Sequence, residues 1–142
     1  IPDTYISNIE ERLNIYKELN SIKEEKKLEI MSKNLEDRFG KMPQSVDDLF
    51  SSMRLKWIAN QLGFEKLILK NGEMRSYFTT KRNSAYFESE SFMKILEYVK
   101  YNFVTCEMKE KSNKLILIIK EINSASKAIK ICKNICQIES QN

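Results

Sequence analysis

The sequence predicts an α+β fold: three N-terminal helices, then two β-hairpins each followed by a helix, the hairpins forming an antiparallel sheet packed with helices. Three observations carry this. Apolar residues recur every three or four positions up to Gly63, and the period changes after it. Asn71-Gly72 sits between two strand-like runs and supplies the positive φ angles of a two-residue turn. Hairpins imply antiparallel pairing, so helices gathered at one end exclude a doubly wound sheet.

The elements follow in order. Ile6, Ile9, Leu13, Tyr16 and Leu19 form one stripe and predict the first helix. Ser21 with Glu24 reads as a capping box opening the second. That helix carries Leu28, Met31, Leu35 and Phe39 inward and stops at Gly40. Pro43 suits a first helical turn, where its missing amide costs nothing. The third helix takes Val46, Leu49, Phe50, Met53, Trp57 and Leu62 inward and ends at Gly63.

Glu65–Lys70 and Glu73–Phe78 are the first hairpin. A polar stretch from Thr79 to Ser89 leads into a helix burying Phe92, Ile95, Leu96 and Val99. Phe103–Met108 and Lys114–Lys120 form the second hairpin, around Lys111-Ser112-Asn113. Ser124 caps a last helix facing Ala125, Ala128, Ile129, Cys132, Ile135 and Cys136 inward. The strand, strand, helix order occurs twice without repeated sequence. One domain is expected over 1–138, helical over residues 1–63 and built of hairpins and helices over residues 64–138, with a frayed tail at 139–142.

Composition is that of a globular chain: 142 residues, 42% hydrophobic and 31% charged, with three Gly and two Pro. That excludes collagen-like and disordered classes. The longest aliphatic run, Leu115–Ile119, is far short of a membrane span. Residues 1–70 are neutral, with 12 basic and 12 acidic side chains; residues 71–142 carry 12 basic against 8 acidic, hence the whole +4. The three cysteines, with no targeting segment ahead of them, fit a reducing, cytoplasmic setting. Opening on Ile1, the chain reads as a piece of a longer protein.

Catalytic chemistry is poorly represented. The chain has no His, no glycine-rich phosphate loop and no nucleophile elbow. Adjacent acids such as Glu10-Glu11 and Asp47-Asp48 do not face each other on a helix. Cys132 and Cys136 share a helix face, but without His or a C-x-x-C pair they read as core hydrophobes. No catalytic, cofactor-binding or metal-ligating residue is expected.

Two binding classes remain. Lys127, Lys130 and Lys133 line the last helix, and Lys109, Lys111 and Lys114 crowd the second hairpin turn. Lys81-Arg82 neighbour Tyr77, Tyr86 and Phe87, the basic and aromatic mixture of a nucleic-acid module. A net charge of +4 is modest for that role, and a solvated lysine surface is the preferred reading. The alternative is a protein-interaction module. The second helix ends in Leu35-Glu36-Asp37-Arg38-Phe39-Gly40, which holds charges on a rigid helix end.

Three segments together resemble the C-terminal domain of bacterial transcription-repair coupling factors, the Mfd translocase family. Ile1–Leu19 (IPDTYISNIEERLNIYKEL) is similar to that family's proline-led entry into a helix. Leu35–Pro43 (LEDRFGKMP) resembles its Asp-Arg-Phe-Gly-x-x-Pro signature, and Leu62–Leu67 (LGFEKL) its helix-to-strand junction. The segments keep the family's order and spacing over the first half of the chain; beyond Asn71 only the element order matches. The resemblance implies a non-catalytic module at the end of a DNA translocase whose ATP- and Mg-dependent motor lies in other domains. In the family this module packs on an N-terminal UvrB-like module, acts as an autoinhibitory clamp and masks the surface that recruits UvrA. The parent also contacts RNA polymerase and DNA. A membrane partner is not implied, and direct nucleic-acid binding by this domain is not expected.

The resemblance carries site residues only onto the second helix. A member of the family has two acids three apart there, facing arginines of the UvrB-like module. Asp37 matches the second acid; Asn34 stands where the first belongs, and Glu36 lies offset on another face. An Asn accepts a hydrogen bond but supplies no charge, which implies a weaker or repositioned clamp. Arg38 completes the candidate interface and, with Phe39, Gly40 and Pro43, also reads as structural.

Overall fold

The computed structural model describes residues 1–79 and 84–139, and the chain divides into two compact units, Ile1–Arg54 and Leu55–Asn142. The described residues form six helices and four strands in the expected α+β order.

The first unit begins with a short lead-in and α1 (Ile9–Ser21). Asn8 caps this helix by accepting from the Glu11 amide at 3.1 Å, satisfying one of the free first-turn donors. The Arg12 guanidinium donates to the Ile6 carbonyl at 2.7 Å, holding the lead-in against the helix. Ile6, Ile15 and Leu19 are buried, whereas Ile9 and Leu13 are 64% and 55% exposed. The expected stripe is therefore rotated. Two apolar stripes compete on α1, and the buried one runs from Ile15 through Leu19 into Ile22, so a single orientation buries the following link as well.

The capping box is also corrected. Ser21 is the last residue of α1, its hydroxyl donating to the Glu18 carbonyl, and α2 (Glu25–Phe39) has Glu24 at its N-cap position with no side-chain cap hydrogen bond. Leu28, Met31 and Leu35 are buried and Phe39 is half-buried. Gly40 ends α2 at φ +89° and ψ −169°, a positive-φ conformation open essentially only to glycine. Pro43 then precedes α3 (Gln44–Leu62), its carbonyl accepting from the Val46 and Asp47 amides.

Helix α3 explains where the units divide. Val46, Phe50 and Met53 are buried within the first unit, and Leu55, Ala59 and Leu62 within the second. Each set has helical spacing, but at about 100° per residue the two sets are out of phase by roughly half a turn. The seam expected at Gly63 from the change of period follows the element order; the packing changes at Arg54–Leu55 because the burial phase changes there. Trp57 and Leu49 are half-buried, and Leu55 and Ala59 take core positions.

In the second unit, β1 (Phe64–Lys70) and β2 (Glu73–Phe78) form the predicted hairpin. Asn71 and Gly72 both have positive φ, 54° and 73°. β3 (Cys106–Lys111) and β4 (Lys114–Lys120) form the second hairpin, and the four strands make one antiparallel sheet in the order β1-β2-β4-β3. Its core face carries Leu67, Leu69, Met74, Phe78, Leu117, Ile119 and Cys106. β3 starts later than expected. α5 (Glu90–Tyr101) ends at Asn102, whose carbonyl accepts from the Thr105 and Cys106 amides, so Phe103 and Val104 are used in reversing the chain. They are 74% and 78% exposed.

Within the stretch read as polar, Ser84–Phe87 forms a one-turn helix, α4. On α5, Phe92, Ile95, Tyr98 and Val99 pack into the core, whereas Leu96 stands on the exposed flank. Ser89 caps α5 and Ser124 caps α6 (Ala125–Cys136), each accepting from the amide three residues on. Ala128, Cys132 and Ile135 of α6 are fully buried, as expected. Of the tail, only Glu139 lies among the described residues.

Candidate interface at the end of α2

The expected site residues separate onto two faces of α2. Asn34, Asp37 and Arg38 line a groove of about 220 Å3 with Glu18 of α1, over Ile15, Met31 and Leu35. Glu36, as the sequence offset requires, does not line it. Glu36 faces Tyr5 instead: burial first, and then the charge of Glu36, push the Tyr5 hydroxyl above the usual tyrosine range.

Arg38 is committed within the unit. Its Nη2 lies 3.0 Å from Oε1 of Glu11, and its guanidinium lies 4.7 Å from the Phe39 ring centroid. Both partners of that ion pair are about half exposed, so the pair orients Arg38 more than it stabilises the fold. Asp37 enters none of the ion pairs formed among the described residues. The groove therefore has an apolar floor and a rim in which Glu18 and Asp37 face Arg38, whose charge Glu11 already engages. Such a rim favours a cationic partner.

The end of α2 is held from outside the helix. The Tyr5 hydroxyl donates to the Gly40 carbonyl at 2.8 Å, with the Leu35 carbonyl 3.2 Å away as the alternative acceptor, and its ring lies 5.9 Å from that of Phe39. Residue-level reading missed Tyr5, Glu11 and Glu18 as site residues. All three lie in the Ile1–Leu19 segment, so the pairing of that segment with Leu35–Pro43 was the available signal.

The other candidates are redistributed. Tyr86 belongs to an aromatic cluster with Phe78, Phe87 and Phe92, and its hydroxyl donates to the Leu62 carbonyl at 2.7 Å. Burial pushes that hydroxyl far above the usual tyrosine range, so Tyr86 is a core residue and no stacking platform. Lys81 and Arg82 lie outside the described residues. Lys127 donates to the Glu121 carbonyl beside its own helix start, while Lys130 and Lys133 are on the outer side of α6. Burial, and secondarily Cys136, push the Cys132 thiol up to about 12, which keeps it a neutral hydrophobe. Among the described residues no three His, Cys, Asp or Glu side chains gather to hold a metal, and no helix is long and apolar enough to cross a membrane.

Three helices leading into a four-stranded antiparallel sheet with further helices define the class of small α+β domains. The profile of the TRCF domain matches residues 1–89, and the chain belongs to that family. It is 28% identical over 134 residues to the transcription-repair-coupling factor of Borreliella burgdorferi, covering 87% of this chain and 12% of that protein. Over 67 residues it is 39% identical to the transcription-repair-coupling factor of Escherichia coli, covering 47% of this chain and 6% of that protein. The chain thus spans only a small fraction of the length of the curated relatives it matches. The fold is that of a crystal structure of the C-terminal domain of a transcription-repair coupling factor, with a TM-score of 0.73 and 19% identity over 96% of this chain and 86% of that one.

Proposed function

We propose that this chain is the non-catalytic C-terminal regulatory domain of a cytoplasmic transcription-repair coupling factor. In this reading it clamps the N-terminal UvrB-like module of the same protein and masks the surface that recruits UvrA. An ATP-driven motor elsewhere in the parent then displaces stalled RNA polymerase along DNA. The observation that supports this best is the groove at the end of α2: an apolar floor, an acidic rim, and Asp37 outside the ion pairs that engage Arg38 and Glu11. A cationic partner surface inserted there pairs Asp37 without dismantling the Arg38–Glu11 contact. An intramolecular clamp needs only a few kcal/mol of preference for the closed state to repress the factor.

The test is calorimetric titration of the chain with the N-terminal half of the same full-length protein. One-to-one binding that Asp37→Arg weakens about tenfold supports the clamp. The variant should keep its melting temperature, because an exposed helix-end charge contributes little to folding. Absence of binding removes the clamp, and binding indifferent to Asp37→Arg removes this groove as its surface.

A further inference from the structure

The face of the sheet turned away from α5 and α6 gathers cations that are scattered in the sequence. Register places Lys66, Tyr77, Ile116 and Lys109 in one row across the four strands. Lys111 and Lys114 pair in the next row, beside the Ser112-Asn113 turn. Toward the other end the same face adds Lys70, Arg75 and Lys120. The carboxylates there are Glu73 and Glu107, 3.4 Å from Arg75 and 3.7 Å from Lys109, and Glu65 at the β1 bulge. Seven cations stand against three carboxylates on a single face.

Two features go beyond an ordinary solvated lysine surface. Lys111 directly faces Lys114, a like-charge cross-strand pair that weakens a hairpin and adds nothing to its folding. Tyr77 sits on a central strand with the Lys66 ammonium 5.6 Å from its ring centroid. It borders a groove of about 630 Å3 lined by Glu65, Lys66, Phe78 and Lys114.

These features select the partner. Ile116 and Ile118, at the middle of the face, are only 9% and 5% exposed, and Ile68 on the edge strand β1 is half-buried. Little apolar area is left for a protein partner, whose interface cores are depleted in lysine. Lysine neutralises phosphate as a point charge and does not read base edges bidentately. A sheet face roughly 14 Å wide, three strand spacings, with an aromatic among its cations suits unpaired bases better than the convex backbone of a duplex. We propose that this face binds single-stranded nucleic acid without sequence preference, Lys66, Lys109, Lys111 and Lys114 holding phosphates while a base stacks on Tyr77. This site is independent of the α2 groove.

Fluorescence anisotropy of the 142-residue chain with a labelled oligothymidylate of about 15 nucleotides tests it. Saturable binding is expected at about 25 mM salt, with log K falling against log salt by about 0.7 per phosphate contact, or roughly 2 to 3 in all. The Lys66→Glu, Lys114→Glu double variant should lose at least about tenfold in affinity. Tyr77→Leu should lose about tenfold with its salt slope unchanged, and Tyr77→Trp, which keeps a stacking ring, should retain affinity. Lys130→Glu, Lys133→Glu on α6 should change nothing. The proposal is overturned by no binding at low salt, by equal loss in the α6 variant, by a duplex binding more tightly with Tyr77 immaterial, or by polyglutamate competing as well as the oligonucleotide.

Discussion

The two units close a helix in the same way and with very different tolerances. In each, a glycine at positive φ ends a helix and a distant tyrosine hydroxyl takes up a carbonyl at that end. Gly40 and Tyr5 do this for α2, Gly63 and Tyr86 for α3. At Gly40 a Cβ meets nothing within 4 Å; at Gly63 it falls 1.9 Å from the Tyr86 ring. The first unit leaves its helix end at the surface, beside a groove that a partner can fill. The second seals its helix end under an aromatic cluster. The same local device thus stands open beside a groove in one place and closes a core in the other.

Paired alanine substitutions break this comparison most sharply. Gly40→Ala adds only the strain of a glycine-only backbone conformation, about 1 to 3 kcal/mol. Gly63→Ala adds strain at φ +95° and also displaces Tyr86, opening its hydrogen bond to Leu62 and the ring contacts behind it, for a loss about 2 kcal/mol larger than that of Gly40→Ala. Urea unfolding followed by the fluorescence of Trp57, the only tryptophan, reads both. Equal losses would show that the Tyr86 contact is not what closes the second unit.

Alkaline titration gives the next largest difference. In the first unit Tyr5 is raised, whereas in the second burial raises Tyr86, Tyr98, Cys106 and Cys132. A raised acid favours its neutral form when folded. The stability this gives is fully present below the unfolded value, 9.0 for Cys132, and is lost as pH climbs through about 12. Cys132 alone then costs about 1 kcal/mol at pH 10 relative to pH 8. Urea midpoints at the two pH values should show the loss, and Cys132→Ala should reduce it. An unchanged loss in that variant would assign the alkaline effect to the other raised groups, Cys106, Cys136 and the tyrosines.

Much of the fold was legible because its signals are local. Asn71-Gly72, Ser124 and Gly40 specify a turn, a cap and a stop within a few residues, and each stands where its chemistry requires. What failed was phase. α1 offers two apolar stripes and α3 changes its buried face midway, so a single-stripe reading places Ile9 and Leu13 inside and overlooks Leu55 and Ala59. Phe103 and Val104 look like a strand start, but the C-terminal turn of α5 consumes them. At the candidate site, Asp37 and Asn34 were legible from the helix pattern and the family likeness. Their neighbours Glu11, Glu18 and Tyr5 are 16 to 32 residues away in sequence, and only the packing of α1 and its lead-in on α2 brings them in. Charge was blurred in the same way. Counted by packing units, the first has 9 basic against 11 acidic residues and the second 15 against 9, a contrast of −2 with +6 that a midpoint split conceals.

The smallest expected effect concerns the one buried polar side chain among the described residues, Ser76 on the core face of β2. Its hydroxyl is fully buried without a hydrogen-bond partner, opposite Leu67 and Leu117. Burying an unpaired hydroxyl costs about 1 to 3 kcal/mol, most of which alanine recovers while leaving a void of a single atom. Ser76→Ala should therefore stabilise the chain by about 0.5 to 1 kcal/mol, seen as a higher urea midpoint at unchanged slope. Because the void subtracts from the gain, Ser76→Cys, which fills the space with a more polarisable and weakly polar group, should do at least as well. A loss of stability in both variants would mean that the hydroxyl is satisfied in solution, and the core face of β2 would then be less dry than its burial implies.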